Sequence, residues 1–438
     1  MFALVTAWAV ASATGCATYT DKMMGVGLSA GRGDYSAALS GVDGLLGVST
    51  PDQLPSSLRG DAPLLLLDRG ILQQATTRFA GSQKDLSTAE QKLELLDLSK
   101  NGIATLGSYL YSDSVKTYRT PPTERLSVNA FNLLNYVALG DLSGAAVEAR
   151  RFQVMRQYLD TTDQDAPAPS RLGAYLAGFV FEQSGEGDRA LRYYDEALAG
   201  GSLSSLVEPV QRLAQRNPFR GQNLAGILAK RGDKVSTKPA ELLIVVSLGR
   251  VPHKIPARMP VGAAVGAAAA VMGDQNLTVL QYSATKVLVY PGLVATPSRA
   301  GEPAVAVNGR EVKLETLANL GTTIAREYEA AKPQILAAAL TRMIARAAVS
   351  EGARVAGKQE GDALSILLPI LVEATLVALD KPDTRSWTML PDRVLVARVP
   401  VSPGDQEVNV SFRGGAPRIV RVKVAPQGWA AVVVTEPR

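Results

Sequence analysis

The stretch Gly178-Phe179-Val180-Phe181-Glu182-Gln183-Ser184-Gly185-Glu186-Gly187-Asp188-Arg189-Ala190-Leu191-Arg192-Tyr193-Tyr194-Asp195-Glu196-Ala197 carries the clearest pattern in this chain. Small residues at 178, 190 and 197 let two helices approach closely, and Gly185 suits the turn between them. Phe181 and Tyr194 are large enough to fill the gap between neighbouring hairpins. An earlier stretch places Tyr136, Gly140, Ala145 and Ala149 at matching offsets, and Gly33 with Ala38 echoes the same turn. The two best copies lie 45 residues apart (Gly140 to Gly185), with a polar connector over Asp160–Pro169 between them. Further out, Asp61-Ala62-Pro63 predicts a helix start, with Asp61 as N-cap and Pro63 in the first turn. That helix, Leu64 to Phe79, should pair across Ala80-Gly81-Ser82 with a second, Leu86 to Leu98. A connection that short makes the two antiparallel.

Gly178-x-x-Phe181, Gly185 and Ala190-x-x-x-Tyr194-x-x-Ala197 resemble a tetratricopeptide repeat (TPR). Ala174 and Ala177 stand where that repeat carries Trp and Leu, and the spacing exceeds its regular period of about 34 residues. The resemblance implies a degenerate TPR-like array of helical hairpins over residues 33–234.

Near Gly232–Pro239 the period changes. Leu242 to Leu248 is a continuous apolar, β-branched run, which predicts a buried strand. Lys286 to Tyr290 reads as another, and Asn308-Gly309 between two alternating runs is a strong hairpin signal. Val261–Gly273 is Ala/Gly-rich with a GxxxG spacing at Gly262 and Gly266, and too short to span a bilayer. Residues 315–380 read as a helical insertion divided by Pro333 and Gly361. Its last helix, Ala363–Leu379, carries Pro369 and Glu373 and reads as buried in protein, since a mid-bilayer Glu is costly. The tail, 385–438, alternates as short strands at 394–399, 408–412, 419–424 and 429–434. The expectation is an α+β chain in which a mixed domain, 239–438, with a small antiparallel β-sandwich, follows the helical domain. An exposed polar connector with Gly and Pro predicts separate cores for 17–234 and 239–438.

Composition narrows the function. The chain has 438 residues, 46% apolar and 20% charged, with a net charge of +5 and one histidine. No Lys/Arg run exceeds two residues, so nothing points to nucleic-acid binding. One His and one Cys cannot build an imidazole–thiolate metal site, and no phosphate-binding glycine loop is present, so neither metal nor cofactor is expected. His253, in the turn Gly249-Arg250-Val251-Pro252-His253-Lys254-Ile255-Pro256, reads as structural. Acidic residues are plentiful enough that a carboxylate pair stays open.

The apolar run Phe2–Ala13 ends in Thr14, Gly15 and Cys16, the single cysteine. It resembles the lipobox of bacterial lipoproteins. That resemblance implies a signal peptide over 1–15, acylation at Cys16 and a lipidated tether over 16–32. The protein would then sit in the bacterial cell envelope, on the outer membrane facing the periplasm. Glu124 and Arg125 begin one helix of a hairpin, and Glu148, Arg150 and Arg151 lie on the next. They read either as an ion-pair clamp or as a polar patch that grips a partner.

Four short motifs span nearly the whole chain: Gly33-Asp34-Tyr35-Ser36-Ala37-Ala38, Ala138-Leu139-Gly140-Asp141 with Val147–Arg151, Gly249–Lys254, and Asp383–Trp387 with Leu390-Pro391. In these the chain resembles a family of uncharacterised bacterial lipoproteins. By architecture it is loosely similar to TPR-bearing lipoproteins that activate peptidoglycan synthases. The expected function is a non-enzymatic, lipid-anchored adaptor or scaffold for another envelope protein. The alternatives are a carboxylate-dependent enzyme acting on cell-wall glycan and a structural part of an export or motility machine.

Overall fold

Thr18 opens the first helix: its hydroxyl accepts from the Asp21 N–H while the Asp21 carboxylate accepts from the Thr18 N–H. This is α1, Tyr19–Gly31, in a computed structural model that describes residues 17–95, 118–161, 164, 166–229, 239–272, 287–357 and 382–438. Tyr19, Met23, Val26 and Ala30 fall at i, i+4, i+7 and i+11 and are buried. The tether expected at 16–32 is thereby corrected, because from Tyr19 onward the segment is a packed helix. Cys16 and the expected signal peptide lie outside the described residues.

Helices α2 (Tyr35–Leu46), α3 (Ala62–Ala75) and α4 (Phe79–Glu90) follow. Asp34 caps α2 by accepting from the Ala37 N–H at 2.9 Å. Pro63 occupies the first turn of α3, as the sequence predicts. The turn expected at Ala80–Ser82 falls instead at Thr76–Arg78, where Thr77 has φ 60° and the Arg78 N–H donates to the Gln73 carbonyl at 2.8 Å. Gly81 lies inside α4, and a Cβ there would stand 1.7 Å from Gln73 Oε1. Close approach, not a turn, requires that glycine.

Strands β1 (Glu94–Leu95) and β2 (Arg119–Thr120) form a short parallel pair. Two helix pairs come next: α5 (Pro122–Ala138) with α6 (Leu142–Thr161), and α7 (Pro167–Gln183) with α8 (Gly187–Leu198). Gly140 and Gly185 turn them, at φ 71° and 80°. At the α7–α8 crossing, a Cβ on Gly178 would lie 2.5 Å from the Tyr194 ring. Ala145 and Ala190 are fully buried, whereas Ala199 is exposed. Overpacking such a contact typically costs about 1–3 kcal/mol. Ala190→Leu should therefore lower the melting temperature and Ala199→Leu should leave it in place, as thermal unfolding would show. Helices α9 (Val207–Ala214) and α10 (Ala225–Leu228) complete the helical segment.

Strand β3 (Ala240–Leu248) is buried along its whole length, as its unbroken apolar run predicts. It is followed by β4 (His253–Pro260), α11 (Val261–Met272), β5 (Val287–Val294), β6 (Ala304–Val307), β7 (Arg310–Val312) and β8 (Glu315–Asn319). The long helix α12 (Leu320–Gly357) and the tail strands β9 (Arg393–Val401), β10 (Gly404–Ser411), β11 (Arg418–Val424) and β12 (Trp429–Glu436) close the chain. One sheet has the order β12-β3-β9-β8, with β3 parallel to β12 and antiparallel to β9. A second has the order β11-β10-β6-β7, and β4 pairs with β5. Asn308 and Gly309 turn β6 into β7 with φ 48° and 78°, the hairpin that their sequence announces. The expected helical insertion is shorter than 315–380: Glu315–Asn319 is strand, and Pro333 lies within α12 and does not divide it. Residues 358–381, and with them Ala363–Leu379, fall outside the described residues.

The two faces of β3 serve different cores. Leu242, Ile244, Val246 and Leu248 pack with Val305, Val307, Val408, Val410 and Phe412 of the second sheet. Leu243 and Val245 point the other way, into a cluster that runs through α1–α8 and includes Trp387, Met389 and Val433. The chain is α+β, but the separation expected between 17–234 and 239–438 is incomplete among the described residues: one core lies wholly within 240–434, whereas the core of the helices takes in side chains of β3 and of the tail. The alternation of one strand joins them, placing half of its side chains among the helices.

Candidate functional site

Arg398 shows how tightly the segments are joined. It extends from β9 and donates to Glu182 of α7 at 2.9 and 3.0 Å and to Glu241 of β3 at 2.7 Å. Arg212 of α9 adds a 2.5 Å bond to Glu182, and Tyr194 donates its hydroxyl to the same carboxylate. Burial alone would raise the Glu182 pKa, but the two guanidiniums hold it below the ordinary carboxylate value. Asp68 of α3 makes a second junction. It accepts from the Met389 N–H at 2.7 Å, the Thr388 hydroxyl at 3.1 Å and the Tyr19 hydroxyl at 2.5 Å, and burial pushes its pKa up to about 7.

Beside that junction lies a cleft enclosing roughly 500 Å³ of empty space, the solvent at its mouth included. Its lining includes Glu124 from α5 and Lys254 from β4, together with Pro121, Pro252 and Ser386. Leu293 of β5 and the Ile324, Tyr328, Ala331 and Ile335 face of α12 form an apolar wall interrupted by Glu327. Two motifs singled out in the sequence meet here: Gly249–Lys254 supplies Pro252 and Lys254, and Asp383–Trp387 supplies Ser386. Gly249, at φ 65°, makes the turn that brings β4 to this place.

The two carboxylates differ in their surroundings. Glu124 accepts from the Tyr118 hydroxyl at 2.5 Å and from the Trp387 N–H at 3.1 Å. Burial raises its pKa, with Lys254 opposing. Both Glu327 oxygens are shielded from solvent; the Thr123 hydroxyl and N–H approach them, but short of good hydrogen-bond geometry. Burial pushes the Glu327 pKa up to about 8; nearby Thr123 and Lys254 lower it only in part. The Lys254 ammonium turns aside from it and donates to the Arg385 carbonyl at 3.1 Å.

The structure does not bring Glu124, Arg125, Glu148, Arg150 and Arg151 onto one surface. Glu124 faces the cleft. Arg125 is buried against Glu90 at 3.3 Å, and Glu148 accepts from Asn129 and Asn132 at 2.7 and 3.2 Å. These contacts hold α5 to α4 and α6. Arg150 and Arg151 are exposed on α6, with Arg151 3.7 Å from Glu148. Beside them Val147, Val154 and Tyr158 are 47%, 66% and 51% exposed. Positions 147, 151, 154 and 158 fall at i, i+4, i+7 and i+11, so a single helix face carries them all. His253 is half-buried and bonded to the Thr296 hydroxyl at 2.9 Å. Burial and nearby Arg250 lower its pKa.

Glu327 and the α6 stripe escaped the sequence reading, and both were signalled by a helical period. Ile324, Tyr328, Ala331 and Ile335 mark one face, and a glutamate within such a face is a polar group in an apolar setting. Among the described residues no group of His, Cys, Asp or Glu is arranged to hold a metal ion, and no helix is long and apolar enough to cross a membrane. Comparison with family models, curated proteins and solved structures gives no match.

Proposed function

We propose that this chain is a lipid-anchored protein of the bacterial cell envelope that acts as a non-enzymatic adaptor. Its hairpins are read as a degenerate TPR-like array and its two facing sheets as a small sandwich bracing it. The observation that carries this reading is the α6 face of Val147, Arg151, Val154 and Tyr158, with Arg150 at its edge. Apolar side chains held open to water on a rigid helix, flanked by two guanidiniums, suit an amphipathic partner segment with acidic flanks. Arg150→Glu tests it. Capture of the partner from solubilised membranes should fall about tenfold, equivalent to about 1.4 kcal/mol, with the melting curve unchanged. Undiminished capture by Arg150→Glu would remove α6 from the reading. The anchor is assigned to Cys16, so Cys16→Ser should abolish fatty-acid labelling; a wild-type chain that takes up no label would overturn the anchor.

The cleft favours one second reading, an enzyme acting on cell-wall glycan through Glu124 and Glu327. Two carboxyl groups at one site are what glycoside hydrolysis uses. Release of soluble fragments from peptidoglycan by the wild type, and none by Glu327→Gln, would establish that reading in place of the adaptor.

A further inference from the structure

We propose that the cleft between α5, the β4–β5 hairpin and α12 binds an alkylammonium group, with its charged head against Glu327 and its stem along the apolar face of α12. Three features lead there, none of them resting on the adaptor reading. The first is an unmet need. Glu124 is satisfied by Tyr118 and Trp387, whereas both oxygens of Glu327 are out of solvent with only Thr123 approaching them, short of good hydrogen-bond geometry. A buried carboxyl left in this state costs free energy that a donor would recover. The second is charge. Two carboxyl groups share the cleft with one ammonium, Lys254, whose Nζ donates to a backbone carbonyl and not to either of them. One positive charge is therefore missing when both carboxylates ionise. The third is shape. Ile324, Ala331 and Ile335 line the same cleft from the helix that carries Glu327, and Leu293 of β5 adds to the apolar lining. An apolar stem a few carbons long with a cationic head matches that wall and that base. A bare inorganic cation would leave the apolar wall unfilled, and an anion would meet Glu124.

A free amine and a lysine side chain share this chemistry. Calorimetric titration of the full chain with n-pentylammonium, with N-acetyl-lysine methylamide and with pentan-1-ol separates the sources. At least one ammonium probe should bind, and the neutral alcohol should bind about tenfold more weakly or less. Preference for the lysine derivative assigns the site to a protein side chain, and preference for pentylammonium to a free amine. Glu327→Gln should weaken ammonium binding about tenfold while its melting temperature holds or rises, since the substitution removes a buried carboxyl that has no paired cation among the described residues. Ala331→Leu, which narrows the cleft from the apolar wall, should weaken binding with Glu327 intact. The proposal is overturned if pentan-1-ol binds as tightly as pentylammonium, if Glu327→Gln binds it as well as the wild type, or if neither ammonium probe binds.

Discussion

Arg398→Ala should cost about 3–5 kcal/mol of folding stability in urea unfolding, because it leaves buried Glu241 without its cation and buried Glu182 with Arg212 alone. Its side chain is 4% exposed, and those of Glu182 and Glu241 are 0% and 6% exposed. The guanidinium also lies 5.1 Å above the Phe179 ring, so packing is lost with the charge. The pH dependence has a defined sign. With Arg398 present the Glu182 pKa is depressed, so its stabilisation is complete above the unfolded value of about 4.3 and is lost as pH falls through the folded one. Without Arg398 burial is less opposed and the pKa of Glu182 moves up. The gap between variant and wild type should narrow toward acid pH. The triple variant Arg398→Met, Glu182→Gln, Glu241→Gln removes all three charges and should recover much of the loss. A triple variant no more stable than Arg398→Ala would show that packing, not charge, sets the cost.

Trp387→Ala should cost a similar amount, about 3–5 kcal/mol. Trp387 is fully buried, its ring edge set against Phe131 of α5 at 6.3 Å and 68°. Its backbone N–H also ties the preceding loop to Glu124. The cavity would open in the core that α1–α8 share with one face of β3. Hydrogen exchange in α7 and in β3 should therefore weaken together. Loss of protection in the strands alone would contradict a shared core.

Local features of this fold were readable from the sequence, and distant ones were not. The turns at Gly140, Gly185 and Asn308-Gly309, the Pro63 helix start and the buried β3 run each follow from residues a few positions apart. The α1 helix was hidden by glycines placed between the members of its stripe. Gly81 read as a turn because nothing nearby shows that the Gln73 side chain occupies the space a Cβ would need. The unity of the core depends on Arg398 reaching Glu182 and on Trp387 reaching Glu124, pairs 216 and 263 residues apart in the chain. No window of sequence relates them. At the candidate sites, Glu124 was singled out with companions that point elsewhere, while Glu327 passed as one more acidic residue on a helix. Only the closed wall of the cleft makes it unusual.

The adaptor reading is tested most directly by a photo-cross-linking residue placed in turn at Val154 on α6 and at Ile419 on β11, which are 66% and 53% exposed. Both positions offer an exposed apolar side chain, so they differ in the surface they report and not in reactivity. The account predicts one discrete adduct from position 154 in cells, lost when Arg150→Glu is added, and none from position 419. A discrete adduct from 419 with none from 154 would contradict it and assign partner binding to the strand-rich segment.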